Sequence, residues 1–288
     1  MANAETLNNP YRPRLVRITM ARDETPDVRT LTLDFVDEQE GARFPDWEPG
    51  QFGEYTVFGA GECVFALANP PDRQPKAAPT LECTYRAIGK VTNALHGLDV
   101  GHVIGFRGPY GNAFPLEDWA GKDLVFLGGG MGMAALRAAL LHVLAHRAAF
   151  GEVLVLNGAR SVDDMVYKEE MPAWAGIDRV RVVRTVDPGG ETKDWDGEVG
   201  LIPEVFERQG LAPDGRIVVA CGPPIMLHFL FLSLEKLGYL PEQVITTLEN
   251  KMKCGFGQCG RCNVGSFYVC RDGPVVSWQR MRALPADF

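Results

Sequence analysis

The sequence predicts a β plus α/β protein in three consecutive parts: an antiparallel β-barrel over residues 1–117, a doubly wound parallel sheet over 118–250 and a short cysteine-rich module over 251–288. Three observations support this division. The first part alternates apolar and polar residues with the two-residue period of strands. The second part alternates apolar strands with helices, an order that gives a parallel sheet. The third part concentrates four of the seven cysteines in a glycine-broken run.

Six segments of the first part have the composition of β-strands, and turn-forming sequences such as PDWEPGQ separate them. Many short antiparallel strands in succession are typical of a small barrel. The predicted strands begin at Arg14, Val28, Phe52, Cys63, Leu81 and His102.

The second part opens with a strand, a glycine turn and an apolar helix, in the run DLVFLGGGMGMAALRAALLHVLAHRAA. The predicted strands VLVLNGA, RVRVVRTV, IVVA and VITTLE follow it. We predict the helices between them near residues 163–174, 201–209 and 225–237. In an open sheet of this kind, ligands bind at the carboxyl ends of the strands.

Composition restricts the possible partners. With 29 basic and 37 acidic residues the formal net charge is −8, which argues against a nucleic-acid partner. The apolar runs are too short or too interrupted to span a bilayer, and the first residues lack the layout of an export signal. We therefore expect a cytoplasmic protein with reduced thiols and no membrane partner.

The cysteine run carries the strongest functional signal. Cys254, Cys259, Cys262 and Cys270 are spaced x4, x2 and x7, and the first three reproduce the plant-type ferredoxin spacing of a [2Fe–2S] cluster. Glycines between them suit a loop that bends tightly around the cluster. A structural zinc ribbon is the alternative, but it usually pairs its cysteines as two separated C-x2–4-C knuckles. The spacing favours iron–sulfur as the metal site.

The glycine turn predicts a dinucleotide site. Gly129, Gly130, Met131 and Gly132 lie between a strand and a helix, and Gly130-x-Gly132-x-x-Ala135 is a dinucleotide-binding fingerprint. In that motif, glycines let the backbone approach the pyrophosphate at the helix N-terminus. The alternative is a glycine turn needed only for close packing of the strand on the helix.

The next strand ends at Arg160 instead of an acidic residue. An acidic side chain there favours NAD, whereas an arginine can reach the 2′-phosphate of NADP. A solvated loop arginine is equally compatible with the sequence. The choice between NAD and NADP therefore stays open.

The strand IVVA ends in Cys221, Gly222 and Pro223, at the edge of the sheet where ligands bind. We predict that Cys221 is the catalytic residue, lining the pocket of the nicotinamide ring, and that Gly222 and Pro223 bind the cofactor beside it. Cys63 and Cys83 lie in predicted barrel strands without cluster spacing, so we interpret them as small buried residues.

In the order and spacing of these motifs, almost the whole chain resembles the ferredoxin–NADP reductase superfamily. It is most similar to members with a C-terminal [2Fe–2S] module: the gamma (diaphorase) subunits of cytosolic NAD(P)-linked [NiFe] hydrogenases or sulfhydrogenases, and the electron-transfer subunits of anaerobic sulfite reductase and of dihydroorotate dehydrogenase. The phrase LENKMKCGFGQCGRC is especially like the hydrogenase and sulfite reductase members.

The resemblance implies FAD on the barrel. The pyrophosphate motif Gly-x-x-Ser/Thr is intact, and the strand that carries Arg-x-Tyr-Ser in the family reads Cys63-Val-Phe-Ala66 here, without the arginine and the serine. The flavin residues that the resemblance implies are Gly89, Lys90, Val91 and Thr92 of the first motif, Phe65 and Ala66 of the second, and Gly108, Tyr110 and Gly111.

The predicted function is electron transfer among NAD(P)H, FAD and the cluster, to or from partner subunits that the resemblance implies: an iron–sulfur beta subunit and [NiFe] hydrogenase subunits. A flavin is needed because a nicotinamide exchanges electron pairs and a cluster single electrons. Sulfite reductase and dihydroorotate dehydrogenase subunits are alternatives of the same class. A non-catalytic interaction subunit with degenerate nucleotide sites is the alternative of another class.

Overall fold

The computed structural model describes residues 9–71 and 79–285, so the predicted outer bounds at residues 1 and 288 lie outside it. The first unit is a six-stranded antiparallel sheet in the order β4-β3-β6-β1-β2-β5. Its elements are β1 (Arg14–Thr25), β2 (Val28–Phe35), α1 (Glu38–Ala42), β3 (Phe52–Val57), β4 (Gly61–Ala66), β5 (Leu81–Arg86), α2 (Lys90–His96) and β6 (Val103–Tyr110).

The two edge strands of this sheet meet through side chains. The ring of Phe65 on β4 lies between Tyr55 and Tyr85, with centroid distances of 5.3 and 5.4 Å, and Tyr85 belongs to β5. Residues that alternate along the strands point inward, as the two-residue period requires, and form one apolar core. The sheet is therefore curled around its own core, as predicted.

The second unit is a seven-stranded sheet in the order β10-β9-β8-β7-β11-β12-β15, parallel except for β15 (Val275–Ser277). Its elements are β7 (Asp123–Gly129), α3 (Gly132–Ala145), β8 (Val153–Ala159), α4 (Met171–Ala175), β9 (Val180–Val186), β10 (Glu198–Val199), α5 (Ile202–Arg208), β11 (Arg216–Cys221), α6 (Pro224–Lys236) and β12 (Val244–Thr247).

Both faces of this sheet are covered. Leu124 and Phe126 of β7 face the core that includes α3, whereas Val125 and Leu127 face the core that includes α5 and α6. Continuous apolar strands of this kind are typical of parallel sheets buried on both sides. The predicted β plus doubly wound α/β architecture is confirmed.

The predicted helix at 163–174 is wrong over most of its length, because only Met171–Ala175 is helical. The preceding segment is held in a loop by the barrel: the backbone N–H of Tyr167 donates to Glu24 at 2.9 Å. Tyr167 itself has a φ of 57°, in the left-handed region that interrupts a helix.

The cysteine-rich module contains β13 (Asn263–Val264), β14 (Phe267–Tyr268), α7 (Val269–Asp272), β15 (Val275–Ser277) and α8 (Trp278–Arg282). Strand β15 pairs antiparallel with β12. The segment after the cysteines therefore completes the edge of the second sheet. Among the described helices of the whole chain, none is both long and apolar enough to cross a membrane.

A buried ionic network joins the two units. Arg137 on α3 is 7% exposed and binds Glu170 with two hydrogen bonds of 2.9 and 3.0 Å. Its remaining nitrogen donates to Glu82 on β5 at 2.6 Å and to the carbonyl oxygen of Ala68 at 2.8 Å. One guanidinium thus fixes the first helix of the second unit to two segments of the barrel and to the loop before α4.

The network closes through a second path. Arg22 on β1 binds both Glu24 and Glu170. Glu24 accepts a hydrogen bond of 2.7 Å from Thr30, and a chain of hydroxyl groups continues from Thr30 to the Thr84 and Tyr167 side chains. The charged groups of this network pair with one another across the two units. A rotation of one unit relative to the other would therefore leave buried charges unpaired.

We expect Arg137→Met to lower the free energy of unfolding by about 3 kcal/mol, because it removes the buried cation from Glu82 and leaves Glu170 with Arg22 alone. Urea unfolding followed by tryptophan fluorescence measures this. The control is Arg208→Met, since Arg208 and its partner Glu198 are both about half exposed and such pairs contribute roughly 0–1 kcal/mol. Equal losses in the two variants would contradict a special role for the network.

Candidate functional site

The glycine turn and the Cys221 loop meet where the strand order of the second sheet reverses. Strands β7 and β11 are neighbours, and Gly128 pairs with Cys221 at their carboxyl ends. The helices that follow these strands lie on opposite faces of the sheet. This switch point leaves a crevice, where open α/β sheets bind their ligands.

The glycines of the turn have different tasks. Gly130 has a φ of +55°, and a Cβ built there would meet nothing within 4 Å, so its backbone faces open space. A Cβ at Gly132 would overlap the carbonyl oxygen of Cys221, and one at Gly129 the sulfur of Met226. Gly129 and Gly132 therefore permit close packing, and Gly130 is the glycine that a pyrophosphate can approach. The sequence fingerprint did not separate these roles.

Cys221 is half-buried, and its sulfur accepts a hydrogen bond of 3.1 Å from the Thr247 hydroxyl. Burial raises the pKa of the Cys221 thiol to about 11. The thiol is thus protonated at neutral pH and is suited to forming a pocket wall, not to nucleophilic attack. Thr247 was not predicted from the sequence, because it reaches Cys221 only through the pairing of β12 beside β11.

Arg160 lies at the carboxyl end of β8, on the edge of the same crevice, with its side chain 76% exposed. Its nearest acidic partner is Asp164, at 3.7 Å. A second carboxylate, Asp187, also lies near it: burial raises the pKa of Asp187, and the charge of Arg160 opposes that rise. A loosely paired guanidinium beside two carboxylates is compatible with either nucleotide. The contact of Arg160 with a 2′-phosphate stays a prediction.

The turn before α2 fits a phosphate group. Gly89 and Lys90 are exposed, and the Thr92 hydroxyl accepts hydrogen bonds from the N–H groups of Ile88 and Gly89, at 3.1 and 2.8 Å. This closes the turn and leaves the first N–H groups of the helix without intrahelical partners. Val91 packs against β4, since a Cβ on Gly61 would lie 3.1 Å from it.

Strand β4 carries two predicted flavin residues, Phe65 and Ala66, and they point to opposite sides of the sheet. Phe65 points into the barrel core, between two tyrosines, and Val64 points outward against the cysteine module. Ala66 pairs with Phe52 across the sheet, on the same outward side. The structure therefore fits a flavin at the phosphate turn, whereas Phe65 lies in the core, and its contact with an isoalloxazine ring stays a prediction.

Gly108, Tyr110 and Gly111, also predicted to bind flavin, lie against the cysteine module. The ring of Tyr110 is 5.9 Å from that of Phe52 and 6.0 Å from that of Phe256, between barrel and cysteine loop. A Cβ on Gly111 would meet Pro274 at 2.6 Å. Gly108 has a φ of +147°, and a Cβ built on it would lie 3.1 Å from the backbone oxygen of Phe52. Gly108, Tyr110 and Gly111 thus form the junction between the barrel and the cysteine module.

The cysteine loop folds as an iron–sulfur cluster requires. Gly255, Gly257 and Gly260 all have positive φ, between 70° and 84°. Backbone N–H groups point at sulfur atoms, with donor–acceptor distances of 3.0 Å from Gly257 to Cys270, 3.3 Å from Gln258 to Cys254 and 3.4 Å from Cys259 to Cys254. Donors of this kind stabilise thiolates and set the potential of a bound cluster.

Burial raises the pKa of the Cys254 thiol, but backbone N–H donors of Cys259, Phe256 and Gln258 outweigh it and lower that pKa to about 7. The sulfurs of Cys262 and Cys270 lie 3.2 Å apart. Cys254, Cys262 and Cys270 are buried and Cys259 is exposed. The four cysteines thus fit a [2Fe–2S] cluster with one exposed ligand.

Within the described ranges, no three or more His, Cys, Asp or Glu side chains are grouped as ligands of a metal ion. A two-iron cluster distributes its four protein ligands over two metal atoms. Three observations fit a two-iron cluster here: the adjacent sulfurs of Cys262 and Cys270, the backbone N–H groups that point at sulfur, and the positive φ of the loop glycines.

Arg107 holds the cysteine loop to the barrel, a role that was not predicted from the sequence. Its side chain on β6 is 2% exposed and binds both oxygens of Glu62, at 2.8 and 3.0 Å. The same guanidinium donates to the carbonyl oxygens of Cys254 and Lys253, at 2.9 and 3.1 Å. A single arginine in an otherwise apolar strand, HVIGFRG, is the signal that could have identified it.

Glu54 lies beside this arginine on β3 and is 1% exposed, with one carboxyl oxygen that has no hydrogen-bond partner among the described residues. Burial raises its pKa to about 7, although the neighbouring Arg107 opposes the rise. Near neutral pH the carboxyl group is therefore divided between its neutral and charged forms.

Comparisons with known proteins agree with this geometry. Residues 126–230 match the oxidoreductase NAD-binding domain, and residues 249–282 match the iron–sulfur cluster binding domain of dihydroorotate dehydrogenase B. The gamma subunit of sulfhydrogenase 1 from Pyrococcus furiosus is 32% identical over 275 residues, covering 94% of this chain and 92% of that protein.

A probable dihydroorotate dehydrogenase B (NAD(+)) electron-transfer subunit from Methanothermobacter thermautotrophicus is 34% identical over 272 residues, covering 93% of this chain and 90% of that protein. Among solved structures, that of an NADH-dependent reduced ferredoxin–NADP oxidoreductase superposes with a TM-score of 0.73 at 21% identity, covering 94% of this chain and 90% of that one. This structural likeness shows the fold.

We expect Cys259→Ser or Cys262→Ser to remove the paramagnetic signal of the reduced cluster and to lower bound iron, because each removes one of four ligands. Flavin binding should persist, since the phosphate turn lies on the barrel. Cys63→Ala is the control and should retain iron, because Cys63 lies in β4 and contacts Tyr55. Stoichiometric zinc without iron in anaerobically prepared protein would contradict the assignment.

The two glycines of the turn should respond differently to substitution. Gly130→Ala should fold at a cost of about 1–2 kcal/mol from its positive φ and should raise the KM for NAD(P)H, because its new Cβ enters the open crevice. Gly132→Val should reduce stability more, because it forces the Cys221 backbone away. Thermal unfolding and dye-reduction kinetics distinguish the two effects. An unchanged KM in Gly130→Ala would show that the nucleotide binds elsewhere.

Proposed function

We propose a function for a chain that belongs to the family of sulfhydrogenase gamma subunits and dihydroorotate dehydrogenase B electron-transfer subunits, within the ferredoxin–NADP reductase superfamily. The chain transfers electrons between NAD(P)H and a partner subunit of a cytoplasmic complex, with FAD and a [2Fe–2S] cluster as its resident groups. A flavin exchanges electrons both in pairs and singly, so it can connect a nicotinamide to a cluster.

The observation that carries this proposal is the contact between barrel and cysteine loop. Arg107 binds the backbone of a predicted cluster ligand, and Tyr110 fills the space between barrel strand and loop. The protein thus holds the cluster site rigidly on the domain that carries the flavin turn. On the other side, the Arg137 network holds α3, which begins at the nucleotide crevice, on the same barrel.

In this arrangement the chain's own residues bind, orient and separate the redox groups. The turn at Gly130 presents backbone to the pyrophosphate, Cys221 and Thr247 form a wall near the nicotinamide, and the turn at Gly89 presents N–H groups to the flavin phosphates. No general acid or base is needed for such a function, and the raised pKa of Cys221 is compatible with that.

We propose a [NiFe] hydrogenase complex as the partner. The support is the similarity to the sulfhydrogenase gamma subunit over nearly the full length of both chains, together with the phrase LENKMKCGFGQCGRC. The second candidate is a dihydroorotate dehydrogenase complex, which the match of residues 249–282 to that iron–sulfur domain favours. Both candidates require the same internal path.

We expect the isolated, cofactor-loaded protein to reduce artificial dyes with NAD(P)H and to show no hydrogen uptake, because residues 9–71 and 79–285 hold an exit for electrons and no group of ligands for a hydrogen-consuming metal ion. In the native complex, Cys254→Ser should uncouple hydrogen oxidation from NAD(P)+ reduction while dye-linked hydrogenase activity persists. Cys63→Ala serves as the matched control. Native complexes that contain dihydroorotate dehydrogenase subunits and no nickel would reject the hydrogenase partner.

A colourless, correctly folded preparation with no flavin and no iron would reject electron transfer altogether and would favour a structural subunit. The measurement is an absorption spectrum of anaerobically purified protein, supported by iron and flavin quantitation.

A further inference from the structure

A short segment ahead of the first strand lies against the cysteine loop. Residues 9–13 contain a turn in which the N–H of Arg12 donates to the carbonyl oxygen of Asn9 at 3.1 Å. The N–H of Tyr11 donates to the side-chain oxygen of Asn9 at 2.9 Å. These bonds hold the segment in one conformation. We call residues 9–13 the strap.

The strap is anchored to the barrel. The carbonyl oxygen of Pro10 accepts hydrogen bonds from the Tyr110 hydroxyl at 3.2 Å and from Arg107 at 3.4 Å. Pro13 packs on β6, since a Cβ built on Gly105 would lie 2.8 Å from it. Arg107 and Tyr110 also contact the cysteine loop. The same two side chains therefore hold both the strap and the loop.

Tyr11 connects the strap directly to the cysteine loop. Its hydroxyl donates to the side-chain oxygen of Gln258 at 2.8 Å. Its ring meets that of Phe256 edge-on, with ring centroids 5.2 Å apart, and the guanidinium of Arg107 lies 5.9 Å from the same ring centroid. One tyrosine thus contacts the loop at two positions, on either side of Gly257.

The stretch of loop that Tyr11 contacts carries backbone donors to sulfur. The N–H of Gly257 donates to the sulfur of Cys270 at 3.0 Å, and the N–H of Gln258 donates to that of Cys254 at 3.3 Å. Both sulfurs belong to predicted cluster ligands. Hydrogen bonds to the sulfurs are among the factors that set the reduction potential of an iron–sulfur cluster.

We propose that Tyr11 is a positioning residue that raises the reduction potential of the cluster by holding residues 256–258 with their N–H groups on the ligand sulfurs. The inference rests on the proposed electron-transfer function and adds a residue that tunes it. The reduced cluster is the more negative form, so N–H donors stabilise it more than the oxidised form. Loosening of these donors therefore lowers the potential.

Shielding from solvent is the competing role for an aromatic residue at this place. Tyr11 is 52% exposed, so it covers the loop only in part. Water stabilises the more negative, reduced form through its high dielectric constant, so removal of a simple cover raises the potential. The two roles thus predict shifts of opposite sign.

The first test replaces Tyr11. Tyr11→Ala removes both contacts with the loop, whereas Tyr11→Phe removes the hydroxyl and keeps a ring against Phe256. In Tyr11→Ala we expect the ratio of reduced to oxidised cluster at the wild-type midpoint potential to fall about tenfold, a typical effect of changes around metal ligands, which is about 59 mV for one electron. Tyr11→Phe should give a smaller fall. Redox titration of anaerobically purified, cofactor-loaded protein, followed by the paramagnetic signal, measures both.

A double-mutant cycle isolates the hydrogen bond between Tyr11 and Gln258. Gln258→Leu removes the acceptor side chain and leaves the backbone N–H of that position in place. We expect it to lower the potential as far as Tyr11→Phe does. The double variant Tyr11→Phe/Gln258→Leu should lower the potential no further, because both changes remove the same interaction. Additive shifts would show that the two side chains act separately.

Phe58→Ala is the matched control. Phe58 is an aromatic residue of similar exposure, 57%, and lines the same shallow cleft as Tyr11, but it lies between β3 and β4. Its replacement should leave the potential unchanged.

Hydrogen exchange of the Gly257 and Gln258 amides in the oxidised protein gives a readout that does not depend on turnover. Exchange should quicken about fivefold in Tyr11→Ala, the factor that one net hydrogen bond contributes. In Phe58→Ala it should equal that of the wild-type protein.

The inference is wrong if Tyr11→Ala raises the potential, leaves it unchanged or shifts it no more than Phe58→Ala does. Unaltered exchange at Gly257 and Gln258 in Tyr11→Ala would also overturn it. These results reject the inference alone when the wild-type protein holds iron and reduces menadione with NAD(P)H. A wild-type protein without a cluster would contradict the proposed function, and this inference with it.

Discussion

The buried guanidinium of Arg137 is the interaction on which the arrangement of the two main units depends. Arg137 lies on α3, the helix that begins at the nucleotide crevice. Its guanidinium donates to Glu170, to Glu82 and to the carbonyl oxygen of Ala68. Bidentate arginine pairs fix orientation as well as distance. A nucleotide at the crevice therefore meets the barrel in one geometry, and this is a condition for electron transfer between groups bound on separate domains.

Arg107 fixes the cysteine loop to the barrel, just as Arg137 fixes α3 to the barrel. Each is a nearly buried arginine that crosses from one unit to the next and binds both a carboxylate and backbone carbonyl oxygens. Backbone acceptors matter here, because they fix the position of the chain itself and not only of a side chain. The barrel is thereby the common support of the crevice and the cysteine loop.

Much of the candidate site could be predicted from the sequence, because its chemistry depends on local spacing. The cysteines, the turn at Gly130 and the turn at Gly89 are each contained in a few consecutive residues, and all three have the local conformation that their motifs require. Thr247, Arg107 and the packing roles of Gly129 and Gly132 were not predictable, since their partners are distant in the chain.

By itself, the sequence determined the two kinds of sheet and their order, because strand periodicity and glycine turns act over short stretches. The ligand set of the cluster, predicted from cysteine spacing, stays a prediction. Only the tertiary structure decided that Phe65 points into the barrel, that Tyr110 faces the cysteine loop and that residues 163–170 form a loop. In each case a distant partner competes with the local preference. The contact with that partner, which sequence spacing cannot show, determines the outcome.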